Sequence, residues 1–307
     1  MPFHYLPCAW DLVGRAYIAE ALRLFTVSEV DHGESSAVAS AISKYHTTEF
    51  AQQVGKFAMD IHGGKGICMG PKNYLAQTYI EAPIGITVEG ANILTRSMII
   101  FGQGAIRCHP YVLKEMQAAD NPDIEKGLKE FDKALFGHIG HLLSSLARSF
   151  WLGMTHSLLA KTPNGKMKRY YQHFSRFSSV LSLIADVSML TIGAELKRRE
   201  KLSARLGDLL SLCYMGSAVL KHYQNGTPNG PLEQEAELAH WSCQYLLHEL
   251  EKRLIGLLNN MPDRWIARIL RFFTMPFGRR FKMPSDQLGA KIAQLFLEPS
   301  SVRKRLS

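Results

Sequence analysis

One carboxylate stands out as a group that could do chemistry. Glu89 lies in a largely apolar stretch, residues 78–96, directly before Gly90. Apolar surroundings remove water from a carboxylate, which favours its neutral form and raises its pKa toward the range in which a general base works well. Gly90 has no Cβ, so a ligand can approach its backbone closely. The stretch therefore indicates a carboxylate base beside a bound ligand.

The same pattern allows a structural interpretation. A helix-like run, 92–106, follows Glu89, and an acidic residue at a helix start is more often a cap that complements the helix dipole. A second unusual segment, DIHGGKG at 60–66, closes a helical pattern, and glycine after a helix is most often only a C-cap. Three glycines in four residues exceed what a cap needs, which favours close approach to a ligand. The segment matches neither a phosphate-binding P-loop nor a dinucleotide fingerprint.

The elements around these segments are predicted to be helices. Apolar residues recur at helical spacing over 11–30, 40–61, 92–106, 124–150, 170–199, 202–223 and 232–258. We expect a break at 102–110, a short helix up to Ala119, and a helix start at 121–122, with Asn121 as the cap and Pro122 in the first turn. Turns are predicted at 31–36 and 162–165, and a loop at 225–231. No stretch alternates with a period of two, so the predicted fold is an all-α helical bundle with two domains, 1–120 and 121–307.

Composition indicates an ordinary soluble chain of 307 residues, with 46% hydrophobic and 21% charged residues. The five cysteines are scattered and form no CxxC pair, which argues against a disulfide framework or a zinc site and fits a reducing compartment. The first residues show no signal-peptide pattern, and no uninterrupted apolar run reaches membrane-spanning length. We therefore expect a cytoplasmic location.

Positive charge is concentrated in the second half of the chain. Residues 1–120 hold 9 Lys and Arg against 11 Asp and Glu, whereas the whole chain has 36 against 27. The segment 264–305 is basic, and 265–273 mixes basic, aromatic and aliphatic residues at helical spacing. This segment could lie on an anionic membrane surface, peripheral at the inner membrane, or pack on the bundle with snorkelling arginines. No recognition module surrounds the charge, so nucleic acid is not an expected partner.

Other catalytic patterns are weaker. His138 and His141 are three positions apart on a predicted helix, a spacing that metal sites use, but no convergent carboxylate or cysteine is evident for them. We therefore predict no metal. A Gly-x-Ser-x-Gly nucleophile elbow is also absent.

The two glycine-containing segments resemble a known family. The pattern is DIHGGKG, a spacer, VEG at 88–90, five further residues and then Arg96. It is similar to the C-terminal helical domain of acyl-CoA dehydrogenases. The segments AISKYHTTE at 41–49 and GITVEGANILTRS at 85–97 narrow the resemblance to the large bacterial long-chain form of fatty-acid β-oxidation, which carries an extra C-terminal region.

This resemblance implies an activity and roles for particular residues. The activity is FAD-dependent oxidation of a fatty acyl-CoA to a trans-2-enoyl-CoA, with Glu89 as the base that takes the α-proton. The resemblance places Gly90 against the thioester and makes a homo-oligomer and an electron-transfer flavoprotein-type acceptor the expected partners. Flavin contacts are implied for Ala91, Asn92 and Ile93, and contacts to the adenine half of FAD, typically from the neighbouring subunit, for His62, Gly63 and Gly64.

The sequence also departs from the family pattern. Asp60 replaces a frequent Gln, Ala91 a frequent Thr and Ile80 a frequent Arg. Ala91 lacks the Thr hydroxyl, so it cannot make the side-chain hydrogen bond to flavin that a Thr at this position could make. Arg96 keeps the basic residue of the family, which a salt bridge would also explain. The N-terminal helical domain and middle β-domain of such enzymes have no counterpart here, so we expect a C-terminal portion of a larger enzyme, weak or inactive alone. The alternative is a non-enzymatic helical module that binds partners or a membrane surface.

Overall fold

The computed structural model describes residues 6–34, 36–226, 233, 235–297, 300 and 303–304. Over these residues the chain consists of helices and their connections, without a β-strand. The all-α prediction is therefore confirmed for this part of the chain. The predicted loop at 225–231 lies outside the described residues from residue 227 onward.

Thirteen α-helices follow one another in the described residues, with one π-helical and one 3₁₀ segment between them. Their bounds are α1 Leu6–Asp31, α2 Ala37–His62, α3 Gly64–Ile67, α4 Ala76–Thr87, α5 Asn92–Leu94, the π-helix Thr95–Ile99, α6 Ile100–Arg107, α7 Val112–Ala119, α8 Ile124–Met154, α9 Lys168–Ile192, the 3₁₀ helix Gly193–Lys197, α10 Glu200–Asn225, α11 Glu235–Leu258, α12 Arg264–Thr274 and α13 Asp286–Leu297.

The chain divides into two compact units that interleave in sequence. Unit 1 comprises Met1–Thr95, Tyr214–Glu249 and Phe281–Ser307, and unit 2 comprises Arg96–Cys213 and Leu250–Arg280. Helices α10 and α11 thus contribute residues to both units. The predicted division into domains at residue 120 stays a prediction.

Unit 1 is built on close helix contacts that only glycine permits. In this unit α1 packs against α2 and α13, and α2 packs against α4. The fully buried ring of Trp241 lies against α1 at Gly14, where a Cβ would be 2.1 Å from a ring carbon. The ring of Trp10 likewise lies against α13 at Gly289, where a Cβ would be 2.5 Å from it. Each indole ring occupies the space that a side chain at Gly14 or Gly289 would need.

Unit 2 is built around α8 and α9, with α7 and α12 packed on α8. Helix α9 supplies much of the core through Phe174, Phe177, Val180, Leu183 and Ile184. By length and composition the stretch Lys168–Lys197 is apolar enough to span a membrane, as is the pair Ala76–Thr87 and Asn92–Arg107 if taken together. Since α9 buries a large share of its residues within unit 2, its packing is that of a core helix.

Three predicted helix boundaries are wrong. The chain does not break at Gly102, because the helix continues to Arg107 and buries Ile100, Phe101 and Gly104. Glycine costs only about 1 kcal/mol inside a helix, so packing overrides it. The N-cap of α8 is Asp123, whose carboxylate accepts from the Lys126 N–H.

The predicted helix 170–199 also ends early, at Ile192. Gly193 adopts φ 56, a left-handed conformation that stops α9 and that glycine adopts without strain. The other predicted helices are confirmed within a few residues. Their ends are set by similar local signals, such as the Ser36 hydroxyl that accepts from the Ala39 N–H at the start of α2.

Replacing Gly14 tests the Trp241 contact. Gly14→Ala should lower the free energy of unfolding by about 1–3 kcal/mol, because the added methyl group overlaps a rigid buried indole. Urea unfolding followed by circular dichroism measures the change. The matched control is Gly55→Ala in α2, where a Cβ meets no atom within 4 Å, and this variant should gain up to about 1 kcal/mol. Equal changes in the free energy of unfolding for the two variants would show that the Trp241 ring does not restrict position 14.

Candidate functional site

Glu89 and Gly90 form a left-handed turn between α4 and α5. Glu89 has φ 53 and Gly90 has φ 94. A left-handed conformation costs a non-glycine residue about 1–2 kcal/mol, whereas Gly90 adopts it freely. The π-helix Thr95–Ile99 follows one turn later, and such segments occur frequently at functional sites. The backbone around Glu89 is thus held in an unusual shape by its surroundings.

Lys44 of α2 holds this turn. Its ammonium donates to the Gly90 carbonyl and to Oδ1 of Asn92, both at 2.7 Å, and to the Ile86 carbonyl at 3.4 Å. The Asn92 amide nitrogen in turn donates to Thr48 Oγ1 and Glu49 Oε1 of α2, both at 2.9 Å. Since Asn92 is only 3% exposed, this network fixes the start of α5 against α2.

The side chain of Glu89 is exposed. The expectation that the neighbouring apolar residues desolvate it is wrong for the described residues, because those side chains point outward as well. Val88 is 47% exposed, Ile84 57% and Ile93 77%. Glu89 therefore stands at the tip of a turn within an uncovered apolar surface.

Glu89 does not cap the following helix. The N-cap of α5 is Ala91, which makes no side-chain capping hydrogen bond. Among the described residues, the Glu89 carboxylate has no hydrogen bond or ion pair. The structural interpretation of this residue as a helix cap is therefore wrong, and its carboxylate is available to a ligand.

The second predicted segment lies at the C-terminal end of α2. Gly63 ends the helix with φ 53, and Gly63 and Gly64 are both exposed, with open space where a Cβ would stand. His62 donates from Nδ1 to the Ala58 carbonyl at 2.9 Å, and its Nε2 accepts from the Tyr74 hydroxyl. Both ring nitrogens are thus engaged within the chain.

The structure does not bring the two segments together. Lys44, which holds the Glu89 turn, and His62 are 18 positions apart on α2, which corresponds to about 27 Å along a helix axis. One segment lies near the start of this helix and the other at its end. Within one chain they form two separate surfaces.

The residues fit a flavin cofactor in part. The exposed backbone at Gly63 and Gly64 and the turn at Gly90 are accessible to a ligand. The Asn92 side chain is not, because its amide nitrogen and oxygen are all engaged with α2. Ile93 presents an exposed apolar side chain. A bound flavin would therefore meet backbone and apolar groups here.

Arg96, seven residues after Glu89, forms an ion pair within unit 2. Its guanidinium donates two hydrogen bonds to the carboxylate of Asp208, from Nε to Oδ1 at 2.7 Å and from Nη2 to Oδ2 at 2.6 Å. Asp208 is only 4% exposed. The interpretation of Arg96 as a salt-bridge residue is thus confirmed.

A second polar cluster lies in unit 2, where sequence reasoning expected none. His138 of α8 hydrogen-bonds Glu115 of α7 at 2.8 Å and lies 3.5 Å from the carboxylate of Asp186 in α9. His109 and His141 approach the same carboxylate. The statement that no carboxylate converges on His138 and His141 is therefore wrong. Asp186 is 48 residues from His138, so no local pattern could have revealed it.

Two family models match the chain. Residues 10–102 match "Acyl-CoA dehydrogenase, C-terminal domain", and residues 106–307 match "Acyl-CoA dehydrogenase, C-terminal, bacterial type". The second match alone covers about two thirds of the sequence. The chain belongs to the acyl-CoA dehydrogenase family.

A solved structure shows the same fold. An acyl-CoA dehydrogenase from Bacillus anthracis, crystallised in complex with FAD, is similar to this chain with a TM-score of 0.68 at 16% sequence identity. The similarity covers 94% of this chain and 48% of that one. The chain thus spans about half the length of the solved enzyme and corresponds to a C-terminal portion, as the resemblance predicted.

Lys44 offers a test of the turn geometry. Lys44→Met should lower the free energy of unfolding by about 1–3 kcal/mol, because the Gly90 carbonyl and the buried Asn92 oxygen lose their donor. Chemical unfolding of the full chain measures this. Lys56→Met, at an exposed position of the same helix, is the control and should change stability by less than about 0.5 kcal/mol. A Lys44 variant as stable as the control would show that the network does not hold the turn.

Proposed function

We propose that this chain is the part of an FAD-dependent acyl-CoA dehydrogenase that supplies the catalytic base, and that Glu89 is this base. The substrate would be a fatty acyl-CoA and the product a trans-2-enoyl-CoA. One observation carries the proposal: Glu89 is presented at a fixed left-handed turn, with an uncommitted carboxylate, among exposed apolar side chains. Family membership supports the reaction class.

The proposed role of Glu89 is to take the α-proton of the thioester. Its carboxylate is free to accept a proton because it has no partner among the described residues. A substrate and further protein surface that cover Ile84, Val88 and Ile93 would exclude water from it, and desolvation raises the pKa of a carboxylate. The missing desolvation would thus be supplied by substrate and by parts of the enzyme outside this chain.

FAD, when bound, accepts the hydride that leaves the β-carbon. We propose that Gly90 lies against the thioester, where the absence of a Cβ allows close contact. The backbone of Ala91 and Asn92 and the side chain of Ile93 would then face the flavin. Lys44 positions this segment through the Gly90 carbonyl, so its role toward the cofactor is indirect.

Residues His62, Gly63 and Gly64 are proposed to hold the adenine half of FAD. Their separation of about 27 Å from the Glu89 turn along α2 favours an arrangement in which one chain serves two cofactors in a homo-oligomer. An electron-transfer flavoprotein-type protein is proposed as the acceptor of the electrons. We propose a cytoplasmic location and, since the chain spans about half of the solved enzyme, little or no activity of the chain alone.

Removing the base tests this function. In cells whose own copy carries Glu89→Gln, acyl-CoA-dependent reduction of an electron-accepting dye by the assembled enzyme should fall by about 10²–10⁴-fold, because the amide cannot take a proton. The control is Glu81→Gln, at an exposed position of α4, which should retain the rate of the wild type. Equal rates for both variants would remove Glu89 from the mechanism.

The absorbance spectrum of the purified chain tests whether the chain alone is active. It should show little bound FAD. A bound flavin that is bleached when acyl-CoA is added would contradict inactivity of the chain alone.

One observation favours a second, membrane-surface function for α12. Its buried residues Ala267 and Leu270 pack within unit 2, where Phe150 of α8 contacts the Phe272 and Phe273 rings. The opposite face exposes Trp265 by 71% and Ile269 by 54%. Helix packing, one of the two interpretations of this segment, is thus observed. We propose that the exposed face, flanked by Arg264, Arg268 and Arg271, lies on anionic lipid.

Vesicle flotation tests the second function. Full-length chain should float with anionic vesicles, and Trp265→Ser with Ile269→Ser should reduce the bound fraction at least fivefold, because both exposed apolar anchors are lost. The matched control is Ile67→Ser with Met69→Ser, which removes two similarly exposed apolar side chains from unit 1. Equal flotation of all three proteins would contradict membrane binding through α12.

A further inference from the structure

Unit 2 contains a cluster of basic side chains that comes from three separate segments. Arg169, His173 and Arg176 lie on the first turns of α9, His156 follows α8, and Arg280 follows α12. Spacings of four and three residues place the three side chains of α9 on one face of that helix. The fold thus brings three guanidinium groups and two imidazole rings together.

His156 is the residue at which two of these arginines meet. Nη2 of Arg169 donates to the His156 carbonyl at 2.9 Å. The Arg280 guanidinium lies on the His156 ring, with Nη1 in contact with Nδ1 and Nη2 3.3 Å from Nε2. Arginine has five donors and no acceptor, and a neutral imidazole has one acceptor. In either tautomer at least one of the two ring contacts therefore joins two N–H groups, which need an acceptor from elsewhere.

Carboxylates do not balance this positive charge. In the described part of the chain, Arg169, Arg176 and Arg280 form no ion pair with a carboxylate. The charge of the buried Glu251 acts on Arg176, but its carboxylate accepts from the backbone N–H of Arg280, at 2.9 and 3.0 Å, and lies 3.9 Å from Nε of Arg279. The guanidinium groups of the cluster thus leave an excess of positive charge.

The excess charge extends into the core of the unit. Arg176 is only 5% exposed, and its Nε has no hydrogen-bond partner among the described residues, whereas its Nη2 donates to the Thr274 carbonyl at 2.5 Å. Burial, followed by the charge of Arg280, lowers the pKa of Arg176 to about 10. Burial, followed by the three guanidinium charges, lowers the pKa of His173 to about 4. A buried cation without a counter-charge is unfavourable, so the cluster favours an anion beside it.

The backbone beside the cluster has a conformation that residues other than glycine rarely adopt. His156 has φ 54 and Ser157 has φ 64. Ser157 is fully buried, and its hydroxyl has no hydrogen-bond partner within the described ranges. Left-handed residues of this kind persist only where the surrounding structure holds them, and they occur often at ligand sites. The turn presents the His156 carbonyl to Arg169 and so fixes that guanidinium at the cluster.

We propose that Arg169, Arg280 and His156 bind a phosphate group, with Arg176 as a buried positive charge behind them. Guanidinium groups bind phosphate oxygens through paired charge-assisted hydrogen bonds, and the N–H of His156 that Arg280 cannot accept would donate to a further oxygen. Arg169 and Arg280 are exposed, so the anion reaches them from solvent. Free phosphate and a lipid headgroup both carry this group. The proposed site lies within unit 2 and is independent of the role of Glu89.

Calorimetric titration of the full chain with inorganic phosphate tests this proposal. At an ionic strength held constant with chloride, the wild-type chain should bind about one equivalent. Arg169→Gln and Arg280→Gln should each weaken binding by about 10–100-fold, because each removes charge-assisted hydrogen bonds. The control is Arg107→Gln, which removes an exposed guanidinium elsewhere in unit 2 and should leave binding unchanged. Equal weakening by all three substitutions would indicate diffuse attraction to a basic surface and would overturn the site.

Thermal unfolding of the wild-type chain gives a measurement that does not depend on the folding of variants. Inorganic phosphate should raise the Tm above its value in chloride at the same ionic strength, because a ligand that binds only the folded state stabilises it. Absence of both a heat of binding and this Tm increase would overturn the proposal.

Vesicles distinguish a lipid headgroup from free phosphate as the source of the group. Phosphatidic acid presents a phosphate monoester, whereas phosphatidylserine does not. If the ligand is a headgroup, the wild-type chain should prefer phosphatidic acid vesicles over phosphatidylserine vesicles of equal surface charge, and Arg280→Gln should lose this preference. If the ligand is a soluble phosphate, both proteins should bind the two kinds of vesicle equally, and only the titration with inorganic phosphate should separate them.

Discussion

The ammonium of Lys44 is the interaction on which the candidate site depends. It is the shared donor to the Gly90 carbonyl and the Asn92 side chain, and it thereby connects α2 to the turn that presents Glu89. A lysine has three donors and no acceptor, so one ammonium can satisfy several oxygens that would otherwise face an apolar environment. The left-handed conformation of Glu89 is unfavourable by itself and persists because this network fixes both sides of the turn.

Glu89 is exposed at its turn. The apolar side chains around it are exposed in the same way. A general base gains reactivity toward a weakly acidic C–H group when water is excluded. This chain therefore provides the position of the carboxylate, and the environment that tunes the carboxylate is proposed to come from substrate and from further protein.

Unit 2 contains two buried aspartates with different partners. Asp208 receives two hydrogen bonds from Arg96 and a longer contact from Arg253, so its charge is compensated by fixed cations. Among the described residues, the ion-pair contacts of Asp186 are with His109 and His138. Burial lowers the pKa of His141, which favours its neutral ring. The two aspartates therefore differ in the side chains that face them, guanidinium groups at Asp208 and imidazole rings at Asp186.

The sequence by itself determined the all-α class, most helices and the family. Helix periodicity, capping residues and glycine stops are local, and the two glycine-containing segments lie within single stretches of chain. Local signals gave a wrong prediction where tertiary packing outweighed them. The chain was predicted to break at Gly102, and the helix instead continues to Arg107.

Only the tertiary structure decided how the side chains of the site are used. The Asn92 amide binds residues of α2 more than forty positions away, a contact that no local pattern indicates. Glu89 was expected to be desolvated, and the fold exposes it. The Asp186 cluster joins three helices whose residues carry no shared pattern. Contacts between distant segments depend on helix packing in three dimensions, and hydrophobic periodicity records only which face of each helix is apolar.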